Sequence, residues 1–128
     1  MTRPFEGVKI LDFTQVLAGP YASYQLALLG ADVIKVERRE GEDMRRTPLS
    51  REWAERGLAP GWQAINGNKR SLTLDLSKPE AIAIVRKLAA QADRQSVQGG
   101  RRPSAAGRQQ REAISRADDG DRPRRCVR

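Results

Sequence analysis

The run Gly7-Val-Lys-Ile-Leu-Asp-Phe-Thr-Gln-Val-Leu-Ala-Gly-Pro20, followed closely by Gly30-Ala-Asp-Val-Ile-Lys-Val-Glu-Arg38, constrains this chain more than any other feature. It reads as strand, turn, helix, strand. Val8 to Phe13 is a short apolar, partly β-branched run of the kind that forms a buried strand. Gly19-Pro20 opens a helix, because the N–H that proline lacks would have no partner in a first helical turn. Ala22, Leu26 and Leu29 lie at helical spacing, with Tyr21, Gln25 and Leu28 alongside, and Gly30 stands where a helix-ending glycine belongs. Asp32 to Glu37 is the second strand. A strand–helix–strand of this length forms a right-handed parallel unit, so the expected class is α/β with an open parallel sheet.

Residues 38–61 are polar, with alternating charges and few apolar anchors. The reading here is a long excursion with one short helix near Arg51 to Arg56, pinned to the body by Trp53 and Trp62. Ser71-Leu-Thr-Leu-Asp75 alternates and reads as a third strand. Ser77-Lys-Pro-Glu80 has the form of a capping box, with Ser77 at the N-cap. Ile82, Val85, Leu88, Ala89 and Ala92 then make one apolar helical stripe. A hydrophobic strand should follow near Asp93, and none is legible. Residues 94–128 are rich in Arg, Gly, Gln, Ser and Pro, with Val97, Ile114 and Val127 as their only large apolar side chains. Such a segment cannot bury enough surface to offset its ordering entropy, and disorder is expected. The expected division is therefore 1–93, structured, and 94–128, a basic tail.

Charge follows the same division. Residues 1–93 hold 14 Lys and Arg against 12 Asp and Glu, and residues 94–128 hold 10 against 4, so most of the formal +8 belongs to the tail. That tail has no Phe, Tyr or Trp on which bases would stack, which argues against specific single-strand recognition; non-catalytic nucleic-acid binding through phosphates is the alternative it leaves. No run of about 18 apolar residues is present, so no membrane span is expected. The single Cys126 cannot form an internal disulfide, and a reducing cytoplasm is the expected compartment. With no His, histidine triads and histidine metal sites within the chain are excluded. No Gly-x-Gly-x-x-Gly, Walker loop or metal-ligand cluster occurs.

Five segments, read together, resemble the family III CoA-transferases (the CaiB/BaiF group, which includes formyl-CoA:oxalate and carnitine CoA-transferases and the α-methylacyl-CoA racemases). They are the strand around Ile10, Thr14-Gln-Val-Leu-Ala-Gly-Pro20, Leu29-Gly-Ala-Asp-Val-Ile-Lys-Val-Glu-Arg38, Gly41-Glu-Asp43 and Asn66-Gly-Asn-Lys-Arg-Ser-Leu-Thr-Leu-Asp75. The resemblance spans residues 4–93, an N-terminal portion of such an enzyme. It implies a Rossmann-like open sheet with flanking helices, here in part, and an interlocked homodimer. It also implies an acyl-CoA and a carboxylic acid as substrates, with CoA transferred through a mixed anhydride and a thioester on one catalytic aspartate. That aspartate falls beyond the matched region, so no catalytic residue is assigned and the chain alone is expected to be inactive. A racemase-like parent is the alternative within the same family.

The resemblance carries over the front of a CoA site. Val16, Leu17 and Ala18 match the turn that touches CoA, Arg38 a residue placed to meet its phosphates, and Leu74, Asp75, Leu76 and Ser77 the place where the adenine end binds. Lys78 is a neighbour. Elementary chemistry agrees, since ligands of open α/β sheets sit at the carboxyl ends of strands and a helix N-terminus suits anionic groups. Each residue also has a plainer reading. Lys69 and Arg70, before the third strand, add positive potential on the functional reading; on the plainer one they are a solvated turn, Gly19-Pro20 is helix punctuation, Arg38 a surface charge and Asp12 a structural strand-end residue. Back-translated and read one nucleotide later, residues 97–111 give Phe-Lys-Ala-Gly-Gly-Val-Pro-Arg-Arg-Leu-Gly-Val-Asn-Asn-Ala. This resembles the family's continuation after its fourth strand, and the tail is expected to be a frame-shifted reading of it.

Overall fold

A computed structural model of the chain describes residues 2–47 and 50–96. The tail expected to be disordered lies, from residue 97 onward, outside the described residues. Four strands form one parallel sheet in the order β3-β2-β1-β4. They are β1 (Lys9–Asp12), β2 (Asp32–Glu37), β3 (Arg70–Thr73) and β4 (Arg94–Ser96). The α/β class expected from the sequence holds. The absence of a fourth strand does not, and the sheet runs past the Asp93 boundary. Arg94-Gln-Ser carries no apolar signal, yet β4 pairs with β1 through its backbone, and Asp93 prepares that pairing at both of its ends. Its N–H donates to the Lys9 carbonyl (2.9 Å), and its carboxylate accepts the Lys9 N–H (2.9 Å).

Helices cover both faces. The pleat sends Ile10 and Val33 to one side, against α1 (Ala18–Leu28) and Ala31, and sends Leu11, Phe13 and Val36 to the other. There they meet Val85 and, around it, Leu88 and Ala89 of α4 (Pro79–Ala89), with Leu72, Leu74, Leu76 and Ala92 filling the edge. The apolar stripe read in the sequence faces the core from Val85 onward, while Ile82 is half-buried and Ala81 takes the buried place in the first turn of α4. On α1 the buried face is Pro20, Ser23 and Ala27, while Ala22 and Leu29 of the expected spacing are exposed. Among the described residues no helix is long and apolar enough to cross a membrane.

α1 ends in a Schellman arrangement. Ala31 N–H reaches the Leu26 carbonyl and Gly30 N–H the Ala27 carbonyl, with Gly30 at φ +107°. α4 begins differently from the expected capping box. Its N-cap is Lys78, held extended by the following Pro79, and it receives no side-chain cap. Ser77 is used elsewhere, its hydroxyl (2.6 Å) and N–H (3.0 Å) both donating to Asp75.

The excursion between β2 and β3 holds a 3-10 turn at Asp43–Arg46 and two short helices, α2 (Arg51–Glu55) and α3 (Pro60–Ala64). Its anchor is Arg45 with Trp62, while Trp53 takes no part. Arg45 donates to both oxygens of the buried Glu37 (2.6 and 2.8 Å) and to the Gly57 carbonyl (3.2 Å), and its guanidinium stacks 3.6 Å from the centre of the Trp62 ring. Trp53 stays 40 % exposed, with Arg56 over its ring.

At Gly19 a side chain has no room, since a Cβ would lie 2.4 Å from Thr14 Cβ. Gly19→Ala is expected to destabilise the chain by about 1–3 kcal/mol through overpacking, read as a lowered urea midpoint at unchanged slope.

Candidate functional site

Because all four strands are parallel, their carboxyl ends share one edge. The strand order reverses at β1, whose neighbours are β2 on one side and β4 on the other. Such a switch point opens a crevice at the carboxyl edge, where ligands of open α/β sheets bind. The turn leaving β1 lies at this point.

The turn is built on a buried carboxylate. Asp12, the last residue of β1, is fully buried and accepts four donors. Thr14 N–H (2.8 Å) and Thr14 hydroxyl (2.5 Å) reach one oxygen, and Ser23 hydroxyl (2.5 Å) and Lys69 Nζ (3.2 Å) the other. Lys69 completes its three bonds at the Pro20 carbonyl (2.8 Å) and Asn66 Oδ1 (2.8 Å). The reading of Lys69 as a solvated turn residue is therefore overturned, as its side chain is 1 % exposed. Arg70 beside it is exposed and forks onto Asp32. Asp12 has the structural role expected of it. Beyond Thr14 the backbone kinks, with Val16 at φ +70°, and α1 starts at Ala18. Leu17, the N-cap, offers no side-chain cap to the first turn, and Pro20 within that turn has no N–H to satisfy.

The sequence-derived residues fall along this edge. Val16, Leu17 and Ala18 are exposed on the β1–α1 turn. Arg38 follows β2 directly, with its side chain 40 % exposed. Its guanidinium is engaged, donating to the Gly41 carbonyl (2.7 Å) and pairing with Asp43. Leu74 to Ser77 follow β3. The side chains of Leu74 and Leu76 turn into the core against α4, so what they leave at the edge is backbone. Asp75 and Ser77 are exposed, and the Ser77 bonds hold the Asp75 carboxyl below its ordinary value. Lys78 is exposed at the start of α4.

Sequence reasoning missed the buried charges beneath this edge. Lys35, alternating with Val36 on β2, is 2 % exposed and donates to the Thr14 carbonyl (2.8 Å), with Glu42 at 3.4 Å. Burial lowers the Lys69 ammonium against the pull of Asp12. Burial alone would raise the Glu37 carboxyl, but the Arg45 hydrogen bonds and charge outweigh it and hold Glu37 below its ordinary value. The apolar alternation of β2 leaves a place for a lysine inside the sheet, but only a partner distant in sequence shows that it is filled by a satisfied charge.

Comparison with known proteins matches residues 5–96 to CoA-transferase family III. The chain belongs to that family. It is 42 % identical over 94 residues to the human succinyl-CoA:glutarate CoA-transferase and 45 % identical over 94 residues to the succinate–glutarate CoA-transferase of Agrobacterium fabrum. These matches cover 71 % and 70 % of this chain but 20 % and 24 % of those proteins, so the chain spans about a quarter or less of their length. The crystal structure of a CaiB/BaiF family protein from Brucella suis superposes with a TM-score of 0.65 at 38 % identity, covering 74 % of this family III chain and 25 % of that one.

The Glu37–Arg45 pair sets a pH dependence. A carboxyl whose folded value is lowered adds stability that is fully present above its ordinary 4.5 and is lost as pH falls through the folded value. In Arg45→Met the strongest influences lowering Glu37 are gone and burial is opposed only by the Glu42 N–H and the Lys35 charge, so the stability that Glu37 adds above pH 4.5 should shrink and the pH profile should flatten. Urea midpoints between pH 3 and 6 test this; parallel pH profiles for the two proteins would contradict it.

Proposed function

We propose that this chain is the N-terminal part of an enzyme that moves CoA between carboxylic acids, and that the carboxyl edge of its sheet is the front of the CoA site. The observation that carries the reading is the coincidence of the family III match with a switch point at the Val16–Ala18 turn. On this reading the turn backbone and the α1 N-terminus face anionic groups of CoA, and Arg38 supplies a cation beside them. The Leu74–Ser77 backbone borders the adenine end. In the transfer, a carboxylate attacks the acyl-CoA carbonyl and releases the CoA thiolate. The thiolate then attacks the resulting mixed anhydride at the enzyme's carbonyl, leaving an aspartyl-CoA thioester and a free acid.

The nucleophile for that step is assigned outside the described residues. Each aspartate among them is already engaged: Asp12 by four donors, Asp32 by Arg70, Asp43 by Arg38, Asp75 by Ser77 and Asp93 by Lys9. The assignment rests on the family resemblance, which puts the catalytic aspartate beyond the matched residues; engagement alone does not exclude Asp43 or Asp75, whose side chains are exposed. We also read residues 97–128 as a shifted frame. The family match ends at residue 96, one residue before the back-translated continuation begins. Translating the coding DNA past Ser96 in all three frames tests this reading, and the lack of a family-like continuation in the neighbouring frames would overturn it.

Calorimetric titration of the full 128-residue chain with CoA is expected to give saturable binding that weakens as salt rises, because phosphate contacts are screened. Acyl exchange between an acyl-CoA and a free acid is expected to be undetectable. The lack of saturable heat would overturn the CoA-site reading, and measurable exchange would overturn the assignment of the nucleophile.

A further inference from the structure

Two non-glycine residues among those described adopt positive φ, Val16 at 70° and Asn68 at 59°. Asparagine tolerates this region, whereas for a β-branched residue it is a true outlier that persists only when its surroundings hold it. The Val16 side chain does not provide the hold, being 48 % exposed. The backbone does. Val16 N–H donates to Glu42 Oε2 (3.3 Å), two residues after the Thr14 carbonyl is taken by Lys35 (2.8 Å). Glu42 is itself fixed. Its side chain is 2 % exposed, it pairs with Lys35, and its own N–H donates to Glu37 Oε2 (3.2 Å). Its other oxygen, Oε1, is buried with no hydrogen-bond partner among the described residues. Within Gly41-Glu-Asp43, Gly41 and Asp43 hold Arg38, and Glu42 has no role in the CoA contacts assigned above.

We propose that Glu42 is the positioning residue of the β1–α1 turn, drawing the Val16 N–H inward and so holding the left-handed kink that presents Leu17 and Ala18 at the carboxyl edge. The consequence for CoA rests on the function proposed above, but the positioning does not. A carboxylate that spends one oxygen on a single backbone N–H and an ammonium, and leaves the other unbonded, is poorly arranged for stability alone. Its arrangement is accounted for if its task is the conformation of that backbone.

The charges facing Glu42 are Lys35 and Glu37 from β2 and Lys69 from the loop before β3; Arg45 is occupied by Glu37. Burial raises the Glu42 carboxyl, Lys35 opposes that and Glu37 adds to it. The Val16 amide proton is therefore expected to titrate with a midpoint above the ordinary carboxylate value.

The test is amide NMR on the full ¹⁵N-labelled chain. In the wild type the Val16 amide should shift with pH and be protected from exchange. In Glu42→Gln the shift should vanish while protection persists, because the side-chain carbonyl still accepts the bond. In Glu42→Ala protection should fall about tenfold or more, equivalent to losing about 1.4 kcal/mol, and CoA affinity should fall with it. Val16→Gly adopts the kink without strain, so Glu42→Ala should cost less CoA affinity in that background. A Val16 amide in the folded wild type that is unprotected or flat from pH 4 to 8 would overturn the proposal. So would retention of the titration in Glu42→Gln, which decides the matter if Glu42→Ala fails to fold. If these amide signatures hold and the wild type does not bind CoA, the positioning stands and the CoA reading fails.

Discussion

The buried carboxylate of Asp12 ties together three parts of the chain at the end of β1. It stands at the end of β1 and takes donors from the turn (Thr14), from α1 (Ser23) and from the loop before β3 (Lys69). A fully buried charge is tolerable only when it is paired and hydrogen-bonded, and here four donors meet two oxygens. Removing one partner of such a pair typically costs about 3–5 kcal/mol, even where the pair as a whole adds little net stability. The value of the arrangement is geometric. Close approach at Gly19, the helix start at Ala18 and the kink at Val16 are all set within a few residues of this carboxylate.

A second layer of charge extends the first. Lys35 joins the Thr14 carbonyl to Glu42, Glu42 draws in Val16, and Glu37 holds both the Glu42 N–H and Arg45. Arg45 fastens the polar excursion to the sheet, through Glu37, the Gly57 carbonyl and the Trp62 ring. The sheet's apolar faces supply the burial that drives folding, and the ionic lattice at one end decides what the carboxyl edge looks like. The exposed apolar residues Leu17, Tyr21 and Leu28 lie on the outer side of α1, at the same end and along its length.

Much of this was legible in the sequence, where apolar period and punctuation agree. β2 runs from Asp32 to Glu37 as read, Gly30 ends α1, and the stripe from Val85 to Ala92 faces the core. What was not legible depends on partners distant in sequence or on backbone alone. Lys69, next to Asn-Gly-Asn, has the composition of a solvated turn, and its partner Asp12 lies 57 residues away. Ser23 looks like a polar interruption in α1 until Asp12 is opposite it. β4 has no apolar residue to announce it, and its place beside β1, which creates the switch point, comes from ladder hydrogen bonds that any sequence can make. The Ser77 capping box failed because Asp75, two residues earlier, competes for the same hydroxyl.

The edge organised by Asp12 is proposed above to face CoA. The most direct test of that proposal is to map amide shift changes in the labelled full chain on adding CoA. The account predicts changes concentrated on Val16 to Gly19, Arg38 and Leu74 to Ser77. Changes centred instead on the opposite ends of the strands, around Lys9, Asp32 and Arg70, would contradict it.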